Sequence, residues 1–189
     1  MAKATDDAAR AFRVVSRNDL LARLRDDFAR FVDEVESLTD SEWSKLLVAD
    51  KYLGPLPAMV VAEGLLGGLT VHGWDIREGL DAPHTIAAES ADLLVPFVFL
   101  LWRATADTTA VQAPFSVAIR TTGPNGGDTR IDVTSDGLRI MPGGAEACAA
   151  TLEFDPATLV LTAYGRTNAG TVRGDAHAAT RFRSLFRSI

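Results

Sequence analysis

Residues 115–136 read FSVAIRTTGPNGGDTRIDVTSD, and this stretch decides the fold class. Phe115, Val117 and Ile119 alternate with small or polar residues, and the same alternation resumes around Ile131 after the turn. Alternation with a period of two is typical of a strand with one buried face. The sequence GPNGGD between the two runs indicates a tight turn. The stretch therefore predicts an antiparallel hairpin.

The chain after this hairpin predicts a meander followed by helices. DGLRIMPGG adds a further turn and strand, and AATLEFD adds a fourth strand. Pro156 opens a short apolar helix, PATLVLTAYG, and GTVRGD follows as a brief extended link. AHAATRFRSLFRSI closes the chain as an amphipathic helix. We expect these strands to form one antiparallel sheet.

The chain before the hairpin is predicted to be helical. NDLLARLRDDFARFVDEVESL carries apolar residues at steps of three and four, and Thr39 with Glu42 has capping-box spacing. Pro55 and Pro57 mark a turn in YLGPLP, after which helices are expected over residues 57–80 and 87–106. Separate runs of helices and strands define the α+β class. We predict a helical partial-bundle domain over residues 1–106 and an α+β domain over residues 107–189.

Composition excludes several classes of function. The 189 residues carry a net charge of −6, which argues against binding to nucleic acid or to anionic membranes. Cys148 is the only cysteine, so a disulfide within the chain is excluded. The most apolar run, ADLLVPFVFLLW, is about half the length that spans a bilayer. The charged N-terminus has no secretory apolar region, so we expect a cytoplasmic protein without membrane insertion.

Longer motifs carry a resemblance to known families. The stretch VTSDGLRIMPGG, followed by ATLEFDPATLVLTAYGRTNAGTVRGDAHAATRFRSLF, resembles the sterol-carrier-protein-type fold. DLLARLRDDFARFVDEVESLTDSEW, YLGPLP and VHGWDIREGL resemble the helical domain of the mycothiol-dependent maleylpyruvate isomerase family, which joins a bundle to a sterol-carrier-like domain. The resemblance covers nearly the whole chain. It implies an apolar tunnel suited to a lipid-like or aromatic small molecule.

The resemblance also implies a metal site, which is incomplete in this sequence. Family members hold a divalent metal, typically zinc, through an early histidine, a glutamate, and a histidine four residues later. His72 matches the last ligand, whereas Gly68 stands at the glutamate position and no histidine precedes His72. Catalytic zinc usually has three protein ligands. We therefore expect no metal and no cofactor; mycothiol with metal ligands supplied elsewhere stays an alternative.

His72, Asp75 and Arg166 are the candidate catalytic residues. An imidazole oriented by a carboxylate can move protons near neutral pH, and an arginine can hold an anionic group. The resemblance implies an arginine of the C-terminal domain that faces the bundle, and Arg166 is our candidate. Alternatively, His72 packs between helices, Asp75 binds the backbone or Arg77, and Arg166 pairs with a surface acid such as Asp155.

Four further side chains are candidates for substrate binding: Trp74, Trp102, Tyr164 and Arg173. The two tryptophans suit a flat apolar ligand, and they suit a hydrophobic core equally well. The last helix is interpreted as having a solvated basic face formed by Arg181, Arg183 and Arg187.

Three hypotheses about function follow. The first is a metal-free relative of the isomerases that binds an apolar or aromatic small molecule and catalyses an acid–base isomerisation or cyclisation. The second is a non-catalytic carrier of such molecules. The third concerns assembly and is compatible with both: the resemblance implies that the first helices of the bundle are missing, and a symmetric homodimer would cover the apolar faces left open.

Overall fold

The computed structural model describes residues 9–50 and 54–186. The chain divides into two compact units, Met1–Met59 and Val60–Ile189. The helix Ala88–Thr105 lies in the same unit as the main sheet, and the domain boundary between residues 106 and 107 stays a prediction. In the described ranges, no helix combines the length and the apolar character that a membrane crossing requires.

The described part of the first unit after residue 15 includes two helices and a small hairpin. Helix α1 (Arg17–Ser37) begins after Ser16, whose hydroxyl accepts a hydrogen bond from the backbone nitrogen of Asp19. Helix α2 (Asp40–Lys45) begins with the predicted capping box, in which Thr39 and Glu42 bond reciprocally. The apolar stripe of α1 stays exposed, as the side chains of Leu24 and Phe28 illustrate.

The proline-containing turn predicted after α2 is part of a two-stranded antiparallel hairpin. Strand β1 (Leu47–Asp50) pairs with β2 (Gly54–Pro57), with Leu47 opposite Pro57 and Ala49 opposite Pro55. The two prolines alternate and therefore share one side of β2. A two-stranded hairpin tolerates prolines because each strand has an edge that needs no donor.

The second unit is an α+β layer structure, which confirms the predicted fold class. Helix α3 (Ala58–Gly79) starts at the division between the units, and α4 (Ala88–Thr105) follows. The remaining elements are β3 (Phe115–Thr121), β4 (Gly127–Thr134), β5 (Gly137–Pro142), β6 (Ala150–Phe154), α5 (Pro156–Ala163), β7 (Thr171–Gly174) and α6 (Ala176–Arg183).

The main sheet has the order β5-β4-β3-β6-β7 and is mixed, which corrects the predicted all-antiparallel meander. Strands β3 and β4 form the predicted hairpin, with Val117 opposite Ile131. Strand β6 crosses to the other side of β3 and runs parallel to it, with Ile119 opposite Leu152. The stretch predicted as an extended link is strand β7, which pairs antiparallel with β6.

The two faces of the sheet differ in chemistry. One face carries the alternating apolar residues and packs against α4, α5 and α6 in a single core that includes Val98, Leu159 and Phe182. The other face carries ion pairs, for example Arg120 with Asp128 at 2.7 Å. Sheet residues on the core face therefore lie next to helices, where a ligand cavity can form.

Candidate functional site

His72 and Asp75 lie on α3 at positions i and i+3, so they share one face of the helix. Nδ1 of His72 lies 3.3 Å from Oδ2 of Asp75, a long hydrogen bond. Because a carboxylate accepts, we assign the hydrogen to Nδ1, which leaves Nε2 of a neutral imidazole as the proton acceptor. The His72 side chain is 70% exposed, so this ring is not packed between helices.

Arg166 binds Asp75 with two parallel hydrogen bonds. Nε donates to Oδ1 at 2.9 Å, and Nη2 donates to Oδ2 at 2.8 Å. Nη1 donates to the backbone oxygen of Tyr164 at 2.6 Å, which fixes the guanidinium in the turn after α5. A bidentate pair of this kind is geometrically specific and stronger than a single bond. The structure thus brings the three predicted catalytic residues together.

Electrostatics keeps Asp75 ionised. Hydrogen bonds from Arg166 lower the pKa of Asp75 to about 2, against an opposing effect of burial, and His72 contributes in the same direction as Arg166. The same pairing raises the pKa of Arg166. A carboxylate that is ionised at neutral pH can orient the neighbouring imidazole.

The partners predicted as alternatives for these residues are corrected by the geometry. Asp155 does not pair with Arg166; it accepts from the backbone nitrogen of Thr158 and caps α5. Asp75 binds Arg166 and His72 instead of Arg77 or the backbone. Because Asp75 occupies the Nε edge of the Arg166 guanidinium, Arg166 serves as a positioning residue for Asp75.

Tyr164 and Gly67 form a close approach between α3 and the end of α5. The Tyr164 ring is half-buried, and burial raises the pKa of its phenol. A Cβ atom placed on Gly67 would lie 2.7 Å from the Tyr164 hydroxyl oxygen. A side chain at residue 67 would collide with the tyrosine hydroxyl. Glycine therefore suits this position because it leaves room for Tyr164, and not because the backbone adopts an unusual conformation.

Trp74 contacts the loop after α3. Its ring meets that of His84 edge to face, with 5.0 Å between centroids. His84 in turn places Nδ1 2.6 Å from the backbone oxygen of Ala82 and Nε2 2.9 Å from Glu78. The predicted substrate-binding role of Trp74 stays a prediction, since the structure gives this ring a packing role at the end of α3.

Trp102 is buried in an aromatic cluster that borders a cavity of about 270 Å³. Its ring stacks on Phe186 at 5.2 Å and meets Phe182 edge to face at 5.3 Å. Other residues that line the cavity include Phe154, Thr162, Gly165, Thr167 and Arg183. Trp102 thus belongs both to the hydrophobic core and to the wall of this cavity, and its role in substrate binding stays a prediction.

Arg183 is the residue at this cavity that the sequence interpretation missed. We interpreted it as part of a solvated face, but it is half-buried, and its Nε has no hydrogen-bond acceptor. Its neighbour Arg181 lies over the Phe115 ring at 4.1 Å, and Arg187 lies outside the described residues. Arg183 follows Phe182 directly in α6, but the charge pattern of this helix alone does not distinguish a half-buried arginine from a solvated one.

Arg173 lies apart from these groups. It projects from β7 on the polar face of the sheet, where Nε is 2.9 Å from Glu153. Its side chain is 67% exposed. The structure places it neither with His72 nor at the aromatic cavity.

A metal site was not expected, and the surroundings of His72 show what stands at the corresponding positions. Gly68 has no side chain, so this position supplies no ligand atom near His72. A Cβ built on Gly68 would have no other atom within 4 Å. Within the part of the chain that the structure describes, no three histidine, cysteine, aspartate or glutamate side chains are grouped as a metal site would require.

Comparisons with known proteins add little to this geometry. The sequence matches no family model and no curated protein. A solved structure of a double mutant of the sec-alkyl sulfatase PisA1 is similar to part of the chain, with 18% identity and a TM-score of 0.44. The similarity covers 52% of this chain and 17% of that one.

Proposed function

We propose that this protein binds an apolar or aromatic small molecule in the cavity bordered by Trp102, Phe182 and Phe186. The observation that supports the proposal is a partly open cavity of about 270 Å³ whose wall includes the aromatic rings of the core cluster. An apolar cavity of roughly 150 Å³ suffices for benzene, so this cavity suits a ligand of one or two rings.

Aromatic walls favour a flat ligand. The Trp102 and Phe186 rings are stacked within 25° of parallel, and Phe182 presents its edge. Such surfaces gain from offset stacking and edge contacts as well as from burial of apolar area. Thr162 and Thr167, whose hydroxyl oxygens lie 3.2 Å apart, add polar groups to the wall that can orient a bound molecule.

Native mass spectrometry of protein purified from its own host tests the proposal. We expect a retained molecule of small mass, released on denaturation. Thr167→Phe, which fills the cavity from a half-buried loop position, should abolish retention. Thr180→Phe, on the exposed surface of α6, is the matched control and should retain the molecule. Equal retention by both variants would refute binding in this cavity.

A second candidate function is acid–base catalysis at His72, and the contact between His72 and Asp75 favours it. With Asp75 ionised and held by Arg166, Nε2 of His72 can take a proton from one carbon of a substrate and return it to another. The turn that carries Arg166 continues from Gly165, which lines the aromatic cavity. An isomerisation or cyclisation of the bound molecule is the reaction class that this arrangement suits.

The molecule recovered from the cavity provides the substrate for the test. General acid–base catalysis contributes about 10²- to 10⁴-fold in rate, so His72→Ala should lower kcat by that factor. His177→Ala, at an exposed histidine near the start of α6, is the control and should leave kcat unchanged. Full activity of His72→Ala would refute the mechanism, and no turnover by the wild type would favour a carrier.

The relationship to the maleylpyruvate isomerase family, use of mycothiol, a cytoplasmic location and a homodimer all stay predictions. The homodimer has a direct test in light scattering at micromolar concentration. The exposed apolar side chains of α1, including Leu24 and Phe28, are the surface that a second copy would cover. A monomeric mass would contradict this prediction.

A further inference from the structure

Several arginines of the second unit pair with carboxylates, whereas the half-buried Arg181 and Arg183 donate to backbone oxygens. Arg120, Arg130 and Arg166 each pair with a carboxylate, at 2.7 to 2.8 Å. In the described part of the chain, the hydrogen bond that Arg183 makes runs from Nη2 to the backbone oxygen of Ala169 at 2.8 Å. Its charge therefore has a neutral partner only.

The position of Arg183 makes this charge significant. The side chain is half-buried and lines the aromatic cavity, while Nε is buried without an acceptor. A buried donor without a partner is destabilising, and more so when the group is charged. Such donors in native structures call for an explanation, and a bound water or ion that accepts the hydrogen bond is one of the established explanations.

We infer that the cavity selects planar aromatic ligands that carry a carboxylate or a comparable anionic acceptor, and that Arg183 binds this group. The inference rests on the proposed function, because it names the class of ligand for the same cavity. Arginine presents its donors in a rigid plane that matches a carboxylate, and Nη2 retains a second hydrogen beside Nε. The rings of Trp102 and Phe186 would hold the aromatic body of the ligand.

The chemistry of the walls separates this ligand class from a neutral lipid. A lipid-like ligand would leave the Nε donor of Arg183 unsatisfied, whereas an aromatic acid satisfies it and supplies the missing negative charge. A hydrogen bond to a charged group is stronger than one between neutral groups, and partial burial strengthens it further. We expect a preference of roughly tenfold to hundredfold in Kd for an acid over its apolar isostere.

Two probes with the same ring system test the inference, namely 2-naphthoate and 2-methylnaphthalene, with Kd measured by calorimetry on the full chain. The wild type should bind the acid at least about tenfold more tightly. Arg183→Met should bring the two Kd values to within about threefold while the hydrocarbon keeps its affinity. Arg181→Met, which removes an arginine that lies over Phe115, is the matched control and should keep the preference.

A second measurement works without any variant of this residue. The Nε–H resonance of Arg183 should move on addition of 2-naphthoate and stay in place on addition of 2-methylnaphthalene. Equal affinities in the wild type, or a preference that survives Arg183→Met, would overturn the inference while leaving the cavity as a binding site. Absence of binding by both probes would overturn the proposed function as well.

Discussion

Gly67→Ala is the substitution whose effect depends most sharply on one contact. A Cβ at residue 67 would lie 2.7 Å from the hydroxyl oxygen of Tyr164, but 3.6 Å from Leu94 and 3.7 Å from the Tyr164 ring carbon that bears the hydroxyl. Only the first distance is shorter than ordinary van der Waals contact. The hydroxyl group is therefore the obstacle to a methyl group at this position.

The magnitude follows from two opposing terms. Forcing a methyl group into a packed interior costs about 1–3 kcal/mol, and alanine gains about 1 kcal/mol over glycine in a helix interior. We expect Gly67→Ala to lower the free energy of unfolding by about 1 kcal/mol. In a Tyr164→Phe background the clash is absent, so the same substitution should raise the free energy of unfolding by about 1 kcal/mol.

Urea denaturation of the four variants in this cycle measures the coupling directly. The expected coupling free energy between residues 67 and 164 is about 2 kcal/mol, read from midpoints at an unchanged slope. Gly68→Ala is the control, because a Cβ there meets nothing within 4 Å and should stabilise α3 in either background. If Gly67→Ala destabilises both backgrounds equally, the hydroxyl contact does not place α3 against the end of α5.

Three further outcomes are expected. Arg166→Met should raise the pKa of Asp75 from about 2 towards its ordinary 3.8, as read by carbon NMR of the carboxyl group, and an unchanged pKa would contradict the pairing. Because the pKa of Asp75 is lower in the folded state than in the unfolded state, the pair with Arg166 stabilises the fold above pH 3.8, and this stabilisation is lost as the pH falls towards 2. Arg166→Met, which lacks the pair, should therefore begin to unfold at a higher pH than the wild type. Phe182→Ala should cost about 3–5 kcal/mol in urea denaturation, because its ring is fully buried, and a loss below about 1 kcal/mol would place the ring outside the core. Thr39→Ala should cost about 0.5–2 kcal/mol through loss of the capping box, whereas Ser41→Ala on the exposed side of the same helix should stay within about 0.5 kcal/mol.

Local patterns predicted the elements well because their causes are local. The alternation around Val117 and Ile131 predicted the β3–β4 hairpin, and the Thr39 capping box predicted the start of α2. The position of β6 beside β3 was beyond such patterns, since alternation determines which face is buried and not which strand is the neighbour. Strand β7 has one inward apolar residue, Val172, and was too short to show a period.

The candidate site likewise combines a contact that local spacing predicted with contacts that depend on tertiary packing. The contact between His72 and Asp75 follows from helical spacing and was predicted. The ion pair between Asp75 and Arg166 joins distant parts of the chain, and the sequence suggested only the nearer Asp155 as an alternative partner for Arg166. The burial of Arg183 likewise results from the packing of α6 over the sheet, which the charge pattern of one helix cannot reveal.

The ion pair between Asp75 and Arg166 also has a consequence for the order of folding. It closes a loop of 91 residues, a contact whose entropic cost is met only after the intervening strands have formed. The contact between Asp75 and His72 can form with α3 itself, whereas Arg166 holds this carboxylate only in the complete second unit. Amide exchange around Arg166 should therefore follow global unfolding.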